Sequence, residues 1–227
     1  NTQIPISRYF VNTLFITLAG TVGHVILASL CAYPLAKHRF PGRKVINQLI
    51  VYSLMFSSAV TTIPTYMILS WLGLIDSQWS IIIPAFGYSL GLFLMRQFMD
   101  TIPNELLEAA KIDGANDLII FFKLILPVSM PILATIALFN GVFHWNSWFD
   151  ALLYGGRKLE TLQQYLVKSI QSATVSAQAA NYVSNTGISS TSIRLTTMVV
   201  TAFPIVLAYP FLQRYFVKGV MIGSLKD

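Results

Sequence analysis

The stretch FVNTLFITLAGTVGHVILASLCAYPLA, residues 10–36, decides the fold class of this chain. It contains no Asp, Glu, Lys or Arg, and it exceeds the roughly 20 apolar residues that a helix needs to cross a hydrocarbon core about 30 Å thick. Across all 227 residues, 55% are hydrophobic and only 11% are charged, which is too little charge to cover the surface of a soluble domain. The chain is therefore predicted to lie in a bilayer.

Further apolar runs follow the first one along the chain. Because these runs are continuous rather than alternating, they predict helices and not barrel strands. Pro64 in the second run, and Pro84 with Gly87 and Gly91 in the third, are expected to weaken or bend their helices. We predict an all-α, polytopic transmembrane bundle that forms a single domain over residues 1–227. Its spans after the first are Val45 to Leu72, Ser80 to Phe98, Pro127 to Phe149, and Ile193 to Phe216.

The loops between the runs predict the orientation. Of 15 Lys and Arg residues, ten lie after the first span, around the loop after the third, or at the end of the chain, and five lie on the other side. Basic residues in short loops favour the cytoplasm, so the ten-residue side is predicted to be cytoplasmic. With five spans and a cytoplasmic C-terminus, Asn1 lies outside, and a sixth span is expected upstream. The net charge of +6 is attributed to these loops and not to nucleic-acid binding.

Several chemical activities lack their sequence signals. No glycine-rich phosphate loop ending in Gly-Lys-Ser or Gly-Lys-Thr occurs, and Cys31 is the single cysteine. No nucleophile, base or metal-ligand spacing stands out, so we predict no catalytic residue, metal site or cofactor in this chain. A membrane-embedded enzyme built from distant residues and a passive channel are the rival classes, and ATP dependence of transport would separate a pump from a channel.

Between the third and fourth runs lies TIPNELLEAAKIDGAND, residues 101–117, which is too charged to span a bilayer. Pro103 suits a first helical turn, Glu105 and Glu108 favour its positive end, and Gly114 can end it in a left-handed conformation. The loop over residues 101–126 is therefore predicted to be a helix-turn-helix at the cytoplasmic surface. The first helix has a narrow face suited to a groove in another protein. That face comprises Leu106, Ala109, Ala110 and Asp113.

This loop resembles the EAA loop of ABC importer permeases. Glu108-Ala109-Ala110 is followed at the expected distances by Gly114 and by residues 124–127, and only Leu124, where Ile is usual, departs from the pattern. The resemblance covers essentially the whole chain and is to carbohydrate-importer permeases related to the second maltose-permease subunit. Three segments resemble the branch that imports complex oligosaccharides, including uronate-containing ones. They are residues 32–35, the His-Trp-Asn-Ser-Trp motif at 144–148, and the tail from 209 to 224.

The resemblance implies a subunit of the bacterial inner membrane that works with several partners. These are a second homologous permease, two ATPase subunits that bind MgATP, and an extracytoplasmic solute-binding protein. The implied substrate is a carbohydrate, in particular an oligosaccharide, and acidic oligomers of alginate or uronate are among the candidates. The alternative is a permease of an amino-acid or peptide importer. Glu108 either contacts the ATPase or caps the local fold through Lys111 or a backbone amide. The residues implied in coupling to the ATPase are Glu105, Glu108, Ala109, Ala110, Asp113, Gly114 and Pro127.

Polar and aromatic residues elsewhere are candidates for the solute path. Four of them lie near the outer end of the fourth span, where a sugar-binding role competes with an aromatic belt at the bilayer interface. The other three lie within spans, where they either line the path or link helices through hydrogen bonds. The polar segment 155–192, with a helix expected at Leu162 to Ser172 and several basic residues, is predicted to be an extracytoplasmic loop. The path candidates are Asn12, His24, Asn140, His144, Trp145, Asn146 and Trp148.

Overall fold

The computed structural model describes residues 6–155 and 159–179, together with single helical positions 195, 199, 202 and 206. All secondary structure in these ranges is helical, which confirms the predicted all-α class. The predicted fifth span falls outside the described residues apart from those single positions. The helices in chain order are α1 (Ile6–Lys37), α2 (Arg43–Met55), α3 (Ser58–Trp71), α4 (Trp79–Phe86), α5 (Ser89–Thr101), α6 (Asn104–Ile112), α7 (Asp117–Ile120), a π-helical turn (Phe121–Ile125), α8 (Leu126–Val128), α9 (Met130–Trp145), α10 (Trp148–Tyr154) and α11 (Leu162–Ala179).

Helix α1 lies at the centre of the bundle and contacts α4, α5, α9 and α11. Its buried face carries small and polar residues at helical spacing, among them Thr13, Gly20 and His24. Its opposite face carries large apolar side chains, and Val11 and Leu18 are 60% and 57% exposed. A helix that buries polar groups and exposes apolar ones reverses the soluble pattern and fits a lipid environment.

Two helical stretches, Ile6–Lys37 and Trp79–Thr101, are long and apolar enough to cross a membrane, and two bent helix pairs would bring the number to four. The first confirms the predicted span at Phe10 to Ala36. The second confirms the predicted third span. It is interrupted at Gly87, where α4 ends, in agreement with the expectation that this glycine weakens the helix.

The second predicted span, Val45 to Leu72, is wrong as a single helix. The chain breaks between α2 and α3, where Phe56 has an extended backbone with ψ of 125°. Pro64 lies inside the continuous α3 and is not the break. Ser57, which follows Phe56, gives a physical reason, since a serine side chain competes for backbone hydrogen bonds and weakens a helix interior.

The fourth predicted span, Pro127 to Phe149, is also wrong at both ends. Pro127 lies in α8, and the axis turns by 75° between Asp117–Val128 and Met130–Trp145. Because Pro131 suits a helix start, α9 begins after this turn. At the other end α9 stops at Trp145, and Trp148 belongs to the separate α10.

One apolar core joins the bundle to the loop at 101–126. Leu107 of α6, Ile120 and Phe121 pack on Met95 and Met99 of α5, and the α1 residues Ala32, Tyr33 and Ala36 complete the cluster. The surface loop is therefore held by the same apolar contacts that hold the spans together.

Candidate functional site

Helix α6 begins and ends where its sequence predicts. Pro103 precedes its first residue, and Glu105 lies in the first turn. Gly114 has a φ of 83°, and the amide of Ala115 donates to the carbonyl of Ala110 at 3.0 Å. This closing turn satisfies the last carbonyls of the helix and needs the left-handed conformation that glycine adopts without strain.

The two faces of α6 differ in what they contact. Leu107 is 8% exposed and Ala110 is half-buried, and both pack in the apolar core. Leu106 and Ile112 are 46% and 86% exposed, and Ala109 is exposed as well. The predicted docking face is therefore wrong at Ala110, because that residue shares the inward face with Leu107 three positions earlier. The outward face offers Glu105, Leu106, Glu108, Ala109, Ile112 and Asp113.

Glu108 projects from this outward face. In the described part of the chain it has no ion pair or hydrogen bond, and Lys111 pairs with Asp117 at 3.3 Å instead. The local alternative, in which Lys111 holds Glu108 in place, is therefore not what the structure shows. Pro127 is exposed in α8, after the π-helical turn that leads away from the loop. The predicted coupling residues are thus exposed, except for the half-buried Ala110.

A polar network that the sequence analysis missed fixes α6 to α1. The Nζ atom of Lys37 donates to the carbonyl of Ile102 at 2.5 Å and to Oδ1 of Asn104 at 3.1 Å. Arg43 donates to the carbonyls of Leu35 and Ala36 at 2.8 and 2.9 Å. The sequence does indicate that a lysine in the last turn of a long apolar helix is favourable, because its charge complements the helix dipole. It does not indicate the hydrogen-bond partners of that lysine, which are far away in the sequence.

Three of the path candidates form one buried polar cluster between α1, α5 and α9. His24 and Asn140 are each 1% exposed, and His144 is 2% exposed. The ring of His144 lies against Gly20, where an added Cβ would meet Nε2 at 2.3 Å, and the ring of His24 lies against Gly91, with the corresponding distance 2.1 Å. These side chains face the interior of this subunit and occupy space that two glycines leave free.

The other path candidates point in different directions. Asn12 links helices, since its Nδ2 donates to the carbonyl of Glu160 and its Oδ1 accepts from Gln78, both at 3.3 Å. Trp145 is buried and lies edge-on to Phe10 with ring centroids 6.1 Å apart. Asn146 is exposed and donates to the carbonyl of Val142 at 2.9 Å. The 144–148 motif is therefore not one binding surface.

The short helix α10, which follows α9, carries the last path candidate, Trp148, and the carboxyl of Asp150. Trp148 is 37% exposed and is placed on α10, edge-on to Phe149 at 5.7 Å. Burial raises the pKa of the nearby Asp150 carboxyl above its ordinary value. The end of the bundle that holds α10 thus combines an exposed indole with a carboxyl that binds protons more tightly than usual.

The start of the predicted outer loop packs on α1. The amide of Leu162 donates to Oγ1 of Thr13 at 2.8 Å, and Tyr165 stacks on Tyr9 with centroids 4.7 Å apart. The expected helix at Leu162 to Ser172 is present and extends to Ala179. Lys168 pairs with Glu160 at 2.6 Å, so its charge is balanced locally. Arg157, Lys158 and Arg194 lie outside the described residues.

Comparison with known proteins gives consistent matches over nearly the full chain. Residues 8–222 match the family described as binding-protein-dependent transport system inner membrane component. The chain is 38% identical over 218 residues to the polygalacturonan/rhamnogalacturonan transport system permease protein YtcP of Bacillus subtilis (strain 168), covering 94% of this chain and 75% of that protein. It is 30% identical over 222 residues to the sn-glycerol-3-phosphate transport system permease protein UgpE of Pectobacterium atrosepticum, covering 97% and 75%.

A solved structure has the same fold. The crystal structure of a bacterial ABC transporter involved in the import of the acidic polysaccharide alginate contains a chain with a TM-score of 0.79 and 30% identity, covering 94% of this chain and 76% of that one.

Proposed function

Because this chain belongs to the family of binding-protein-dependent transport system inner membrane components, we propose that it is the permease subunit of an ABC importer for an oligosaccharide. The match over residues 8–222, together with the similarity to a permease of polygalacturonan and rhamnogalacturonan transport, carries this conclusion. The chain would form half of the solute path across the bacterial cytoplasmic membrane. A second permease would supply the other half, and an extracytoplasmic protein would deliver the sugar.

The outward face of α6 is proposed to dock into a cleft of the ATPase. Its exposed Leu106 and Ile112 offer apolar contact area, and Glu108 offers a carboxylate without a partner in the described part of this chain. Closure of the ATPase dimer on MgATP would move α6, and the apolar core beneath it would pass that movement to α1 and α5. Nucleotide binding and hydrolysis belong to the ATPase subunits. The C-terminus and the end that carries α6 are proposed to face the cytoplasm.

An acidic oligosaccharide is the substrate that the relatives support best. Three of the similar proteins are named for polygalacturonan, alginate and glycerol phosphate, which carry negative charge, although others are named for arabinooligosaccharides and alpha-glucosides. These names favour a sugar over a peptide or an amino acid. Of the proposed path residues, the exposed Asn146 and Trp148 can contact a solute directly, whereas His24, Asn140, His144 and Trp145 would act by holding the helices that frame the path.

The coupling role of α6 can be tested at Gly114 with two substitutions that differ in size. An added Cβ there meets nothing within 4 Å, but the φ of 83° strains any other residue, so complex assembly and thermal stability are measured for both variants beside their activity. Asn tolerates the left-handed conformation better than most residues and is small. We expect Gly114→Trp to abolish sugar-stimulated ATP hydrolysis by the assembled complex in nanodiscs, and Gly114→Asn to retain most of it.

The same assay compares neutral and acidic oligosaccharides presented by the binding protein. Stimulation by acidic oligomers alone supports the proposed substrate class, and stimulation by neutral ones alone contradicts it. If Gly114→Trp assembles with the ATPase and remains stimulated like the parent complex, α6 is not the coupling surface.

A further inference from the structure

A cleft opens at the end of the bundle that carries α6, between the turn after α1, the start of α2 and the side of α5. Its volume is about 570 Å³. It is separate from the outward face of α6 and from the buried histidines, and neither coupling nor the solute path uses it. The residues that line it are Arg39, Phe40, Gly42, Arg43, Lys44, Val45, Asn47 and Arg96.

The cleft carries an excess of positive charge. Arg43 and Arg96 lie 3.8 and 3.5 Å from the same carboxylate, that of Asp100, and share it. Arg39 and Lys44 are exposed and have no ion pair in the described part of the chain. Four cations against one carboxylate leave a local charge of +3. The ligand is therefore expected to be anionic.

The apolar walls distinguish an amphiphile from a soluble anion. Phe40 and Val45 line the cleft, and α2, whose first turns form one of its walls, buries none of its residues. Val45, Leu49 and Tyr52 on that helix are 58%, 59% and 55% exposed. A phosphate group held by the basic rim would leave room for acyl chains along this exposed surface, at the level where long basic side chains reach headgroups.

We propose that this cleft binds the headgroup of an anionic phospholipid, with phosphatidylglycerol as the representative ligand. The lipid would fill the space between α1, α2 and α5 and pair with Arg39 and Lys44. The proposal depends on the membrane location of the chain and not on which solute it carries.

The test uses the assembled complex containing the full-length permease, reconstituted in nanodiscs of phosphatidylcholine and phosphatidylglycerol and then extracted in mild detergent. Copurified lipid is counted by mass spectrometry for the parent complex, for Arg39→Gln/Lys44→Gln, and for Lys123→Gln. Lys123 is an exposed basic residue in the π-helical turn and does not line the cleft. A further arm adds excess inorganic phosphate, which shares the anionic chemistry without acyl chains.

We expect the parent complex to retain phosphatidylglycerol in preference to phosphatidylcholine. The double substitution should lower that retention roughly 25-fold, since each basic residue near an anionic surface contributes about fivefold, and Lys123→Gln should change it little. Equal retention of phosphatidylglycerol by the parent and the double variant overturns the proposal. This is the result expected if a protein segment, and not a lipid, covers the cleft. Displacement by inorganic phosphate also overturns it, in favour of a soluble anion. Retention is measured without sugar or ATP, so its failure is distinct from failure of the proposed transport function.

Discussion

Two histidines and two glycines fix the packing of α1 at the scale of single residues. The His144 ring occupies the place where a Cβ on Gly20 would stand, and the His24 ring does the same for Gly91. Gly20 and His24 are one helical turn apart on the same face of α1, so the two contacts are neighbours. They hold α9 and α5 at close distance to α1, as small residues do between membrane helices.

Gly91→Ala is expected to destabilise the complex through contact with His24. The new Cβ would lie 2.1 Å from the buried Nε2, and overpacking of this kind costs about 2 kcal/mol. The thermal midpoint of the solubilised complex should fall by roughly 4–8 °C. Gly141→Ala is the matched control, because its Cβ would meet only Oγ1 of Thr21, at an ordinary 3.7 Å.

A double-mutant cycle separates this contact from a general effect of Gly91. In a His24→Ala background the Gly91→Ala substitution should cost little, since the ring it meets is gone. A loss as large as that in the parent background would contradict the assigned contact.

The sequence identifies these four residues unevenly. His24 and His144 stand out as polar groups in apolar runs, and Gly91 reads as a helix-weakening residue. Which glycine lies against which imidazole cannot be predicted, because the partners are far apart in sequence and their contact depends on helix packing. For the same reason Ala110, which reads as part of an exposed face, proves to be half-buried.

At the scale of elements, Lys37 joins three of them. It lies at the end of α1 and donates to groups at the end of α5 and at the start of α6. Its lysine stem is long enough to reach a turn in which three acceptors at alternate positions, at Asp100, Ile102 and Asn104, converge. Movement of α6 is thereby tied to the central helix through hydrogen bonds as well as through the apolar core.

Lys37→Met is expected to weaken this tie while leaving the helices in place. Removal of the ammonium takes away charge-assisted hydrogen bonds worth about 1.5–3 kcal/mol each, although solvent near the turn replaces part of that. In proteoliposomes, the amount of sugar transported per ATP hydrolysed should fall a fewfold. Lys37→Arg, which keeps the charge and the donors, should recover most of the ratio.

A merely structural role for Lys37 would lower complex yield in Lys37→Met without changing the transport ratio of what assembles. The ratio is therefore the deciding measurement, and an unchanged ratio would falsify the coupling role.

The elements differ in how well sequence predicts them. Helix α1 is predictable because an uncharged apolar run longer than a bilayer has few other outcomes. The break between α2 and α3 is not, since serines are common in membrane helices and Pro64 draws attention to the wrong position. The 75° turn before α9 is missed for a related reason, because Pro127 and Pro131 both read as helix starts.

At the scale of the whole molecule, the distribution of side chains is that of a membrane protein. Large apolar residues are exposed along α1, α2 and α3, and the buried polar residues include three histidine and asparagine side chains at 1–2% exposure. The charged network around Lys37, Arg43 and Asp100 lies at one end of the bundle, with α6. The composition predicts that apolar side chains face lipid, and the charges of the loops predict which end of the bundle faces the cytoplasm.

Cysteine labelling tests the orientation. Cys31 is the single cysteine of these 227 residues, so Cys31→Ser removes their only thiol, and the unsubstituted Cys31→Ser complex measures any labelling from elsewhere. In that background we expect Leu72→Cys, in the turn after α3, to react with a membrane-impermeant thiol reagent in intact cells. Lys44→Cys, at the start of α2, should react only after the membrane is opened. The reverse pattern would mean that the end carrying α6 faces outward.

The central position of α1 also bears on how the chain is made. Helix α1 leaves the ribosome before every element that later covers its buried face, and His144 follows His24 by 120 residues. At bacterial synthesis rates of about 5–20 residues per second, the polar face of α1 waits roughly 6–24 seconds for its partner on α9. We expect the insertion machinery or a membrane chaperone to shelter this face from lipid during that interval. Biogenesis of this subunit therefore depends on holding an early helix until a late one arrives.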